Sequence, residues 1–189
     1  RLSGTSKSLI PARLASMGYA LPGTVLAIGV LIPLTSLDHQ INAIFEYFEL
    51  TAPGLILSGS IIAIVFAYVV RFSAIAVGSI ESSLEKVTPS LDMVSVTLAI
   101  KPMKMLRKVH LPLVRKGCLA GALLVFIESM KELPAALLLR PFNFETLATY
   151  VYQYVSDEQL EQAALAAIVI VLVGLIPIIF LNRSLEQQH

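Results

Sequence analysis

A single cysteine, Cys118, stands in 189 residues, so no disulfide can form within the chain and cysteine says little about redox compartment. Its place just inside an apolar run suits a small hydrophobic filler. Charge is scarce as well. Only 14% of residues are Asp, Glu, Lys or Arg against 56% hydrophobic, which excludes an ordinary soluble domain and points to the membrane. His39, His110 and His189 are scattered along the chain and make no metal-ligand cluster. A GxxxxGK[ST] loop is missing, which excludes cradling ATP phosphates by that route. HExxH and GxSxG are missing too, and no nucleophile or paired histidine neighbours the ionisable group Glu128, Lys131 and Glu132. A membrane-embedded enzyme is therefore disfavoured. The start carries neither Met nor a signal-peptide pattern, and Arg1 reads as the edge of a fragment.

What is there is apolar length. A helix needs about 20 apolar residues to cross roughly 30 Å of hydrocarbon. Residues 14–37, 50–70, 117–139 and 163–181 meet or approach that need, the second continuing as helix past Arg71 towards Ile80. None of them alternates as a membrane barrel strand would. The fold class is thus all-α and integral to the membrane, with about four transmembrane helices. Basic residues divide unevenly between the connections. Arg1, Lys7 and Arg13 precede the first span, eight Lys and Arg stand between 71 and 116, and Arg183 is in the tail. The opposite connections keep only Lys131 and Arg140 among many acids. Both ends and the central loop, residues 81–116, are expected in the cytoplasm. Arg71, ending an apolar run, is expected to snorkel to headgroups there.

The central loop has its own pattern. Leu84, Val87, Leu91, Val94 and Leu98 recur at helical spacing, interrupted by Thr88-Pro89-Ser90. Pro89 suits a first helical turn, Thr88 or Ser90 can cap it, and Asp92 is favoured near its positive end. Lys101-Pro102 closes this short helix. A second amphipathic helix follows, with Leu106, Val109 and Leu113 on one side and Lys104, Arg107 and Lys108 on another. The segment can lie on anionic lipid, or it can be gripped by a soluble partner.

Its spacing resembles the cytoplasmic signature of inner-membrane permeases of binding-protein-dependent ABC importers. Met93-Val94-Ser95 takes the Glu-Ala-Ala place, Ala99 the Gly place, Val109 the Ile place, and Leu111-Pro112 closes the motif. Met93 removes the acid of that signature, and Asp92 stands one residue earlier. The flanks YALPGTVLAIGV, FIESMKELPAALLLRPFNFETLATYVY and VLVGLIPIIFL look like the C-terminal half of iron(III) importer permeases. That resemblance implies one transmembrane permease domain over 1–189, with residues 81–116 as a coupling-helix loop. It implies transport driven by a separate cytosolic ATP-binding subunit, with ATP bound there and no cofactor in this chain. The other partners implied are an extracytoplasmic solute-binding protein, a second permease half and membrane lipid, with no nucleic acid. Leu91, Asp92, Met93, Val94, Ser95, Leu98, Ala99, Val109, Leu111 and Pro112 would form the contact with the ATPase. Iron(III) is the expected cargo. Thiamine, phosphonate, polyamine or sulfate carriage is the alternative, and an ATP-independent channel is the reading from another class.

Glu128, Lys131 and Glu132 fall deep in the third apolar run, Glu128 about 16 Å and Glu132 about 22 Å along the helix from Gly117. Spacings of three and four put all three on one face, and Pro134 is expected to kink the helix. They read as an internal salt bridge fixing helix register, as the wall of a cation passage, or as groups placed at the outer interface. Gly117 and Gly121 make a GxxxG that suggests close packing. The aromatic-rich stretch 141–159 is expected outside, where it can serve as an interface belt or dock a binding protein.

Overall fold

The computed structural model describes residues 10–85, Met93 and residues 102–186. Every regular element among them is helical: α1 (Ile10–Met17), α2 (Gly23–Tyr47), α3 (Ile61–Glu85), α4 (Pro102–Met105), α5 (Leu111–Lys131), α6 (Pro134–Leu139), α7 (Leu147–Ser156) and α8 (Leu160–Glu186). A 3₁₀ turn, Gly18–Ala20, follows α1, and a π-helical turn, Leu106–His110, fuses α4 to α5. The runs Gly23–Tyr47, Ile61–Glu85, Met103–Lys131 and Leu160–Ile179 are long and apolar enough to cross a membrane. The chain is an all-α membrane bundle.

The helix ends depart from the sequence expectation for local reasons. The first span is broken. Leu21, preceding Pro22, is held extended at φ −81° and ψ 136°, so helix resumes only at Gly23. It then runs past Leu37 to Tyr47 with Pro33 inside it. The second span starts at Ile61 rather than Leu50, because residues 51–60 fold back onto α2. The buried Asp38 carboxylate accepts the N–H groups of Leu57 and Ser58 at 2.8 Å each and the Ser58 hydroxyl at 2.6 Å. Asn42 clasps Gly54 by both its N–H and its carbonyl. Those bonds pair backbone groups of the loop with side chains of α2.

Small residues set the packing. Leu26, Ala27 and Val30 of α2 meet Ala63, Ile64 and Ala67 of α3 and Ala135 and Leu139 of α6 in one core. At the other end α3 lies along α5. An added Cβ at Gly121 would come 2.9 Å from Ser79 Cβ, and one at Gly117 2.6 Å from Ser83 Cβ. The GxxxG is therefore a true close-approach seam, and its partner is the serine face of α3. α1 joins this group through the Ser73 hydroxyl, which donates to the Ala15 carbonyl at 3.1 Å.

Candidate functional site

The third apolar run does not kink at Pro134; it stops. α5 ends at Lys131, Glu132 is extended (φ −71°, ψ 102°), and Pro134 opens α6. Proline has no N–H to lose in a first helical turn, so the break costs less there than inside a helix. Glu132 consequently leaves the face it would share with Glu128 and Lys131. Glu128 and Lys131 bond to each other at 2.8 Å, with side chains 33% and 51% exposed. Glu132 turns inward and is 8% exposed.

Its partner is Arg71, which corrects the headgroup expectation for that residue. α3 runs on to Glu85 and places Arg71 in mid-helix, about 15 Å from the Ile61 end. Arg71 Nε lies 2.9 Å from Glu132 Oε2, its N–H aimed off the oxygen, so the contact is one of charge more than of a formed hydrogen bond. Arg71 Nη1 donates to the Leu21 carbonyl at 2.8 Å, and the guanidinium lies 5.8 Å from the centre of the Tyr19 ring. One turn earlier, the Tyr68 hydroxyl donates to the Glu132 carbonyl at 3.1 Å. The second carboxylate oxygen, Oε1, accepts the Ala135 N–H at 3.3 Å in the first turn of α6. Gly23 completes the enclosure: a Cβ there would stand 2.5 Å from Glu132 Oε1.

Irregular backbone at membrane depth is tolerated where protein satisfies its polar groups. Arg71 and Tyr68 satisfy carbonyls at both breaks, residues 21–22 and 132–133. Arg71 and Leu21 are 50 positions apart, and Tyr68 and Glu132 are 64 apart, separations no helical periodicity reveals. The available signals were a charge inside an apolar run and prolines at 22 and 134.

Of the coupling-loop residues, Leu91, Asp92, Val94, Ser95, Leu98 and Ala99 lie outside the described residues. Met93 is helical and exposed, Val109 is half-buried, and Leu111 and Pro112 are exposed at the start of α5. The expected apolar side, Leu106, Val109 and Leu113, is not the buried one. Met105, His110 and Val114 are buried instead, while Leu106 and Leu113 are exposed. The π turn inserts one residue, so the inward positions recur at five and then four. Among the described residues no group of three His, Cys, Asp or Glu could hold a metal ion.

Residues 4–188 match the family described as the binding-protein-dependent transport system inner membrane component. The chain belongs to this family. Within it, the chain is 29% identical over 171 residues to the Fe(3+)-transport system permease protein FbpB 2 of Haemophilus influenzae, covering 90% of this chain and 31% of that protein. It is 26% identical over 143 residues to the ferric transport system permease protein FbpB of Actinobacillus pleuropneumoniae, covering 76% and 20%. It is 23% identical over 168 residues to PhnV of Salmonella typhimurium, whose name provisionally assigns it to 2-aminoethylphosphonate transport, covering 89% and 57%. The chain thus spans about a third of the first of these relatives. As a member of a transport-component family, it is a multi-pass membrane permease and not an enzyme.

Proposed function

We propose that this permease imports iron(III), received from an extracytoplasmic solute-binding protein and driven by a separate cytosolic ATPase. The observation that carries this reading is the match of nine-tenths of the chain to an Fe(3+)-transport permease, inside a family named for dependence on binding proteins. The chain sits in the inner membrane with both its ends and residues 81–116 in the cytoplasm, as the distribution of basic residues supports. The ATPase grips the segment beginning near Ser90, with Leu91, Val94 and Leu98 as apolar anchors and Asp92, Met93, Ser95, Ala99, Val109, Leu111 and Pro112 completing the contact. ATP is bound by that partner.

Glu128 and Lys131 line the translocation path, completed by a second permease half. An ion pair this exposed on a membrane-crossing helix needs water or protein over it rather than lipid. Glu132 belongs to the path's support, because Arg71 occupies its carboxylate. The PhnV relatives carry a second reading, in which the cargo is a phosphonate. Proteoliposomes holding the assembled transporter, its binding protein and internal ATP decide between them. Uptake of radioactive ferric iron but not of 2-aminoethylphosphonate is expected. Phosphonate uptake without iron uptake transfers the assignment, and uptake of either without ATP overturns the importer reading.

A further inference from the structure

We infer that Arg71 is the fulcrum of the permease: the point about which the segment joined to residues 86–101 tilts against the rest of the bundle. The inference rests on the transport reading above. Two packing groups meet at the level of Arg71. On one side, α2, the first turns of α3 and α6 share the core of Leu26, Ala27, Ala63, Ala67 and Ala135. On the other, α1 and α5 close on the second half of α3 through Ser73, Ser79 and Ser83. The latter group holds both helix ends that flank residues 86–101, namely Glu85 and Pro102. Two of the chain's passages between the groups are non-helical, at 21–22 and at 132–133, where φ and ψ can change without breaking a helix ladder.

Arg71 touches both passages. It bonds the Leu21 carbonyl at the first and pairs with Glu132 at the second, while Tyr68 holds the Glu132 carbonyl. A guanidinium fork serves this purpose because its rigid, planar set of donors can hold two partners at once. A buried ion pair is a poor way to add stability but a good way to select between discrete arrangements. Arg71 and Glu132 are accordingly positioning residues, acting on the path through the helices they hold.

The test places spin labels in the assembled transporter with Cys118 replaced by Ala. One pair, Ser16→Cys with Ile28→Cys, straddles the first passage; a second, Ile28→Cys with Leu138→Cys, lies within one group. All three positions are exposed. Trapping the ATPase with ATP and vanadate is expected to shift the first distance on the order of a few Å and leave the second unchanged. Arg71→Gln should abolish that shift and lower uptake on the order of tenfold while ATP hydrolysis persists, with Arg71→Lys restoring part of both. If the wild type transports normally and the straddling pair does not move, the inference fails and the transport reading stands. If uptake survives Arg71→Gln unchanged, the inference fails equally. If the wild type shows no ATP-driven uptake, both fall together.

Discussion

Glu128 and Glu132 are chemically identical and four positions apart, yet their surroundings give them different work. Glu128 makes a part-exposed i,i+3 pair with Lys131, an interaction worth about 0.2–0.5 kcal/mol. Glu132 is enclosed by Arg71, Gly23 and the first turn of α6. Removing one partner of such a buried pair strands the other charge and costs about 3–5 kcal/mol. Glu132→Gln should therefore lower the thermal stability of the detergent-solubilised transporter markedly, while Glu128→Gln leaves it nearly unchanged. Fluorescence-detected size-exclusion after heating reads both. Equal behaviour of the two variants would contradict the inward placement of Glu132. From sequence these residues looked like one face, because the i,i+4 rule assumes that the helix continues. Helix termination at Lys131 is a tertiary fact, supported by Tyr68 from another span.

Among the described elements, α3 and α5 form a close seam, glycine against serine. Gly121→Leu forces Ser79 and its backbone outward. Overpacking of this kind costs about 1–3 kcal/mol, and it should splay the two helices that frame residues 86–101. The expected result is reduced thermal stability together with weaker co-purification of the ATPase; Gly121→Ala should show a smaller loss in the same direction. Helix ends at this scale follow chemistry that partly escapes pattern reading. α2 ends at Tyr47 with Glu49 at φ 56°, and its last carbonyls are taken by the Glu49 and Leu50 N–H groups at 3.0 and 2.9 Å. A glutamate there gives no sign of the left-handed turn that glycine would announce. Likewise, the π turn at Leu106–His110 shifts the buried face by one residue, which a strict 3.6 period cannot foresee.

For the molecule as a whole, the proposed coupling requires that work done on residues 86–101 reach the membrane interior. Val94→Asp or Leu91→Asp, which place a charge on the proposed ATPase anchor, should abolish uptake and ATPase co-purification while the bundle still inserts and keeps its heat stability. Normal uptake with normal co-purification would remove the segment near Ser90 from the proposed coupling role. Such variants differ from Glu132→Gln in their signature: lost partnership with a sound bundle against a weakened bundle.

Much of this protein follows from sequence alone, because a bilayer is a simple selective solvent. Apolar run length specified an all-helical membrane bundle, since only helices or closed barrels satisfy their backbone in lipid. Charge asymmetry supplied an orientation to test, and the spacing around Met93, Ala99, Val109 and Leu111-Pro112, with the flanking motifs, pointed to the family that residues 4–188 match. Tertiary structure decided what depends on partners distant along the chain. It set where the first and third spans break, and it turned Arg71 inward to hold both breaks. A charge within an apolar run is costly wherever it points, so its presence can be read from the letters. Which way it points depends on a carboxylate and a carbonyl that only folding brings within reach.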